Sequence, residues 1–475
     1  MNHSSILSNS LFKAAGLLAL LLALDAGKAA HGAGGAILVE AQTAPGKAWT
    51  NYPTRTLDLL PNPPAVIPAS ELNAYGGWTA RKQKATGFFH PKKIGDRWWL
   101  VDPEGGLFLH KAVVAVSPLR IPSAEAAMKR KFGGESNWVE RTSELLHENG
   151  FNGTGAWSDE GLFRQGSRPL VYTRIWNFMQ NYGYKRGGVY QKPGHVGYPN
   201  DCIFIFDPEF ETFCDNHAKQ LAATKNDPWL LGHFSDNEMP VRRQALQNYL
   251  ELPVTDPGHK AAWAWLRARH GANATVKDIT EQDQKDFLAH VMERYYRIVS
   301  TAIKKYDPNH LFLGSRLHGG ELNYPEVFQV AGRYLDVVAV NYYRTWTPSL
   351  EKLAMWAGES GRPILITEWY VKGEDSGMPN TNGAGWVVRT QRDRGRFYEH
   401  FTLGLLESKV VVGWHWFKYA DNDPTNLAAD PSNRDANKGI VSNRYEPYPE
   451  LLDLMKRLND RAYSLTDYFD RPAVQ

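Results

Sequence analysis

Short apolar runs alternate along this chain with longer stretches whose apolar residues recur every three or four positions. The runs cover residues 107–116, 153–157, 170–176, 230–235, 311–315, 337–342, 364–367 and 410–416. Their length and their Val, Ile, Leu and aromatic content predict buried strands. The clearest helix carries Phe287, Val291, Tyr295, Ile298, Ala302, Ile303 and Tyr306 at helical spacing and stops at Asp307-Pro308. Proline cannot continue a helix, and the next strand run follows at once. Alternation of this kind predicts an α/β fold with a parallel sheet, and eight units predict a closed (β/α)8 TIM barrel. An open doubly wound sheet would want a glycine-rich phosphate turn after its first strand, whereas Gly105-Gly106 comes before one.

Upstream, residues 31–95 are rich in Pro, Ala and Gly and read as an extended lead-in. Residues 97–109 hold two apolar runs around Asp102-Pro103-Glu104-Gly105-Gly106, the pattern of a hairpin. The barrel is assigned to 96–465 and a short C-terminal tail to 466–475. No period indicates internal repeats.

Two of the strand runs end in an acid. His233-Phe-Ser-Asp-Asn-Glu238 and Ile364-Leu-Ile-Thr-Glu368 carry a carboxylate where an apolar run gives out. An acid at such a place needs a cleft or a partner. A parallel barrel turns all of its C-terminal strand ends toward one site, so Glu238 and Glu368 are expected to converge. Paired carboxylates at one site are what glycosidic bond hydrolysis requires.

The net charge is only +3, with 54 Lys and Arg against 51 Asp and Glu, so neither nucleic acid nor an anionic membrane is expected as a partner. Sixteen tryptophans exceed what a core of this size needs, and the surplus suits stacking on sugar rings. Lys13 followed by the apolar run 14–24 and small residues predicts a signal peptide over 1–30, too short to span a bilayer, and a secreted or periplasmic protein. In that setting Cys202 and Cys214 can pair, or stay as free buried thiols. No Cys-x-x-Cys is present and His110, His318 and His415 are scattered, so no metal or other cofactor is expected.

Asn237-Glu238 after one apolar strand and Thr367-Glu368-Trp369 on another resemble clan A of the glycoside hydrolases. The resemblance implies a retaining enzyme on a (β/α)8 barrel, with Glu238 as acid/base and Glu368 as nucleophile. It implies that Asn237 contacts a sugar 2-hydroxyl, and that a tyrosine ending strand six donates to the nucleophile. Tyr342 is preferred to Tyr343 there as nearer the strand end. It also implies an aromatic platform at the end of strand eight. Trp414 and Trp416 point together and His415 points away, so Trp416 is chosen for the platform and Trp414 for the core. Trp157 and Trp176, ending strands two and three, are candidates for outer subsites, with core packing the equal alternative. Arg316 and His318, after strand five, are candidates for sugar hydroxyls, with a loop ion pair the alternative for Arg316.

Within the clan, residues 235–240, 412–421, 437–441 and 448–452 are most similar to the agarase-like glycoside hydrolase family 50. That likeness implies a polysaccharide or oligosaccharide built on β-linked galactose. Other β-linked glycans (glucan, mannan, a β-galactoside) are the alternative, and a non-catalytic carbohydrate-binding barrel is a further one. A sulfated galactan would call on cations, for which Arg242, Arg243, Arg344 and Lys418 are available. The Gly-rich polar segment 373–386 is expected to form a wall or lid.

Overall fold

The structure, a computed structural model, describes residues 35–164 and 166–471. The signal-peptide reading over 1–30 therefore lies outside the described residues. All eight predicted strands form: β1 (His110–Val113), β2 (Gly153–Thr154), β3 (Val171–Ile175), β4 (Leu230–Phe234), β5 (Leu311–Gly314), β6 (Val338–Asn341), β7 (Ile364–Glu368) and β8 (Val411–Trp416). They are hydrogen-bonded in parallel in the order β5-β4-β3-β2-β1-β8-β7-β6. Just past β5, Leu317 N–H donates to Ala339 O at 2.9 Å and Leu317 O accepts from Asn341 N–H at 2.8 Å. Those two bonds join β5 to β6 and close the barrel.

Inside the barrel, Val171, Leu231, Leu313, Ala339, Leu365 and Val412 pack together, and Leu100 and Phe108 close the bottom. The last two come from the predicted hairpin, which is part of a three-stranded antiparallel sheet of His90–Ile94, Arg97–Val101 and Leu107–Phe108. Its turn is held by Asp102, whose Oδ1 accepts from the Glu104 and Gly106 N–H groups at 2.9 Å. Two histidines also point inward: His110 Nδ1 and His415 Nε2 are 2.8 Å apart, and burial holds the His110 imidazole down to about 4. A Cβ at Gly153 would lie 2.0 Å from His110 Nε2, so β2 needs glycine there.

The predicted helix spans Glu281–Tyr306. Thr280 and Asp283 cap it reciprocally, with Thr280 N–H donating to Asp283 Oδ2 at 2.9 Å and Asp283 N–H to Thr280 Oγ1 at 3.1 Å. From its buried face Tyr295 donates to Asp236 Oδ2 at 2.6 Å, two residues before Glu238. Asp236 in turn accepts from Met179 and Gln180 N–H, at the start of the helix Phe178–Arg186. The turn that carries Glu238 is thereby fixed from beneath.

Two expectations need correction. The lead-in is not merely extended: Ile37–Gln42 and Thr50–Thr54 pair with each other, and the first pairs with Val387–Val388, which lies beside Lys372–Gly373. This four-stranded sheet ties the lead-in to the segment after β7, and sequence could not foresee partners so distant. The C-terminal boundary also moves, because Ala462–Asp470 is one helix and Arg97 holds its end through Asp470 at 2.8 and 2.9 Å. Of the two states left open for Cys202 and Cys214, the structure has free buried thiols, each packed in the apolar core.

Candidate active site

At the C-terminal strand ends a cavity of about 920 Å³ opens, and both Glu238 and Glu368 line it. Four residues of its wall, each just past a strand end, have left-handed backbone, namely Ala115, Trp157, Glu238 and Arg344, and so does the buried Arg316 behind them, with φ between 47° and 62°. Non-glycine residues avoid that region, and the surrounding packing has to impose it.

Glu368 ends β7 and is buried. Arg316 Nη2 lies 2.8 Å from its Oε1, and the Tyr343 hydroxyl donates to its Oε2 at 2.7 Å. Burial pushes this carboxyl above the usual carboxylate range and the Glu238 charge adds to that, while Arg316 and Tyr343 pull it back. Arg316 is itself fully buried. It donates to Asn237 Oδ1 at 3.0 Å and Thr367 O at 2.9 Å, and its guanidinium stacks 4.4 Å from the Trp157 ring centre. Of the two roles expected of Arg316, the structure shows the ion pair, with Glu368 as the partner.

Glu238 is anchored differently. Asn341 Nδ2 donates to its Oε1 at 2.9 Å, and Asn341 Oδ1 accepts from Thr367 at 2.7 Å. Its other oxygen faces His195 Nδ1 and His318 Nε2, each 3.9 Å away. His318 Nδ1 sits 3.1 Å from Glu321 Oε1, and the ring lines the cavity. Asn237 is half-buried, with its amide oxygen committed to Arg316 and, at 3.3 Å, to Asn341.

The tyrosine expectation is corrected: the phenol at Glu368 belongs to Tyr343. The Tyr342 hydroxyl accepts from Ser349 N–H at 3.0 Å, and its ring packs against Trp356 and Phe401. Residues 341 and 343 share a face, and Asn341 faces Glu238, so alternation along the strand decides the matter. Tyr343→Phe is expected to lower kcat about 10²-fold, by analogy with loss of a single transition-state donor. Tyr342→Phe should leave kcat nearly unchanged while lowering Tm. Steady-state kinetics beside thermal melts separate the two, and an equal loss of kcat in both would contradict the assignment.

The platform expectation also fails. Trp414 and Trp416 do point together, but outward, and both are fully buried. Trp414 Nε1 donates to Tyr398 and Trp416 Nε1 to Lys438 O, both among the rings between β8 and the helix Gln391–Glu407. His415 takes the inward position on the same strand, against His110. Trp176 is likewise core, donating to His233 Nδ1 at 3.0 Å under Arg174. Of the four tryptophans only Trp157 reaches the cavity, 39% exposed. The other rings at the cavity are Tyr342, Tyr343, Tyr370 and Phe417, with the imidazoles of His195 and His318. Phe417 follows His415 with the parity that faces the site.

Four groups escaped the sequence reading: Asn341, His195, Tyr370 and Lys438. His195 arrives on the hairpin of Tyr190–Lys192 and His195–Gly197, which no motif announced. That hairpin reaches the loop beyond β8, where Gly194 N–H and Gln191 Nε2 donate to Asp430 at 2.9 and 2.7 Å. The segment 373–386 is a fixed wall: Lys372 Nζ donates to Asn380 O and Asn382 O, and Asp435 accepts from Thr381 and Asn382 N–H. Among the expected cations, Arg242, Arg344 and Lys418 line the cavity, whereas Arg243 turns aside to Glu326 and Tyr324.

The crystal structure of BpGH50 superposes with a TM-score of 0.81 at 30% identity, covering 92% of this chain and 96% of that one. The chain belongs to glycoside hydrolase family 50. Two curated relatives of this family 50 protein are from Vibrio sp. (strain JT0107). Beta-agarase B is 25% identical over 493 aligned positions, and beta-agarase A 27% identical over 383. Those matches take in 82% and 70% of the chain, which spans only 50% and 37% of the length of the two agarases. No protein-family profile matches the chain.

Proposed function

We propose that this family 50 protein is an exported retaining β-glycoside hydrolase that cleaves β-linked galactose-containing polysaccharide or oligosaccharide, as an agarase does. The observation that carries the proposal is the pairing of Glu238 and Glu368 on one cavity with opposite kinds of support. Glu368 has a guanidinium and a phenol, which favour a charged carboxylate. Glu238 has one neutral amide, Asn341, within hydrogen-bond reach.

In the first step Glu238 gives its proton to the glycosidic oxygen as that bond breaks, and a Glu368 oxygen bonds to the anomeric carbon. In the second, Glu238 takes a proton from water, water oxygen bonds to the same carbon, and the ester to Glu368 breaks. Two inversions restore the β configuration. The Asn237 amide nitrogen is available to a sugar hydroxyl, since its oxygen is held by Arg316. Trp157 offers a ring face at the cavity mouth. The names of the two Vibrio relatives support an agarose-type substrate, and the apolar run 14–24 supports export.

Product analysis against agarose, porphyran, carrageenan, β-glucan and mannan, with Glu368→Gln in parallel, tests the substrate. Cleavage of a galactan by the wild type alone is expected. Turnover confined to glucan or mannan would remove the galactan reading. Preference for porphyran or carrageenan over agarose would give Arg344 and Lys418 a sulfate to bind.

A further inference from the structure

Two His-carboxylate clusters occur among the described residues, and they differ in one respect. His233, Asp307 and His310 lie deep in the fold in direct contact, at 2.8 and 2.7 Å, with the remaining ring nitrogens bonded to Trp176 and Asp227 O. That cluster is closed by its own hydrogen bonds. His195, Glu238 and His318 face the cavity instead, and both nitrogen-to-oxygen separations are 3.9 Å. This is too long for a hydrogen bond. Two ligands of one tetrahedral metal ion, bound at ~2.0–2.1 Å, stand ~3.4 Å apart, so each His–Glu238 pair is about half an ångström from ligand spacing, and all three ligand atoms lie within 4.8 Å of one another.

We propose that His195 Nδ1, Glu238 Oε2 and His318 Nε2 form a binding site for a divalent transition-metal ion, and that the ion locks Glu238 and stops turnover. Two imidazoles and one carboxylate, with a fourth position open to the cavity, suit zinc, cobalt(II), nickel or copper(II) over magnesium or calcium. The ligands are aimed in advance. Glu321 holds His318 Nδ1 at 3.1 Å, which turns Nε2 toward Glu238 in the manner of a carboxylate behind a metal-bound histidine. Asn341 occupies Glu238 Oε1, which leaves Oε2 for the ion. The nearby cations Lys192 and Arg242 are both paired with Asp201 at 2.9 Å, so their repulsion of an incoming ion is reduced. A metal on Oε2 takes the place of the proton that this oxygen would deliver to a leaving group.

Cobalt(II) chloride added to the full chain, without substrate, is the direct probe. One equivalent should bind with the visible absorption of a tetrahedral centre, and zinc should displace it. His195→Ala should weaken binding at least about tenfold and Glu321→Gln about 10–100-fold, while His195→Cys, which keeps a ligand atom, retains it. Zinc should inhibit the wild type reversibly on addition of a chelator, and inhibit His195→Ala only at correspondingly higher concentration. Absence of saturable binding, an octahedral spectrum, or the same affinity in wild type and His195→Ala would overturn the site. The inhibition rests on Glu238 as acid/base, but the absorption does not. A negative titration leaves the double displacement standing, and a failed test of the two glutamates leaves the metal site standing.

Discussion

Glu368→Ala is expected to lose at least ~10⁴ in kcat, the scale of removing a covalent nucleophile. Azide should restore turnover and leave an α-glycosyl azide. The small anion fits the space vacated by the carboxylate and attacks from the same side, so the product carries a single inversion. Glu238→Ala should behave in the opposite sense on a substrate with an aryl leaving group, which departs without a proton. The glycosyl–Glu368 ester then accumulates, and azide attacks it to give the β-glycosyl azide after two inversions. The anomeric configuration of each azide, read by NMR, assigns the two roles independently of rate. The same anomer from both variants would defeat the assignment, as would azide products from the wild type alone.

The second large effect is expected at Arg316. Arg316→Gln removes the cation from a fully buried ion pair and leaves Glu368 to carry its charge with the Tyr343 phenol and the weaker influence of the Lys438 charge. Breaking such a pair from one side costs about 3–5 kcal/mol of stability, readable by chemical denaturation. The kinetic consequence has a definite sign. Burial and Glu238 already raise the Glu368 carboxyl, and Arg316 is the strongest influence in the other direction. Without it, Glu368 holds its proton to higher pH, so the acid limb of kcat/KM moves upward and activity at neutral pH falls. Arg316→Lys restores a charge but not the planar fork that reaches Asn237 and Thr367 together, so recovery should be partial. An acid limb that stays in place in Arg316→Gln would show that Arg316 does not set the ionisation of Glu368.

The barrel was legible because its signals are local and repeated. Each strand is a short apolar run, and the helix Glu281–Tyr306 carries its own cap, stripe and stop. The two glutamates were legible for a related reason, since an acid closing an apolar run in a parallel barrel has only one end at which to lie. Alternation correctly grouped Trp414 with Trp416 and set His415 apart. It could not say which group faced inward, because both faces of a barrel strand are buried and both accept apolar rings. The tyrosines show the complementary case. Parity groups Tyr343 with Asn341, whereas proximity to the strand end favours Tyr342, so the two local cues disagree and parity is the one the packing follows.

By itself, then, the sequence determined the eight strands, the closed barrel and the two acids at its open end, all of which follow from periodicity and from the cost of burying charge. Only the tertiary structure decided that Tyr343 and Arg316 serve Glu368, that the tryptophans of β8 belong to the helix layer, that the lead-in joins a sheet with the segment after β7, and that His195 arrives opposite His318. Those contacts join residues dozens to hundreds of positions apart. Their partners are chosen by the space left between packed elements, and no local pattern encodes that space.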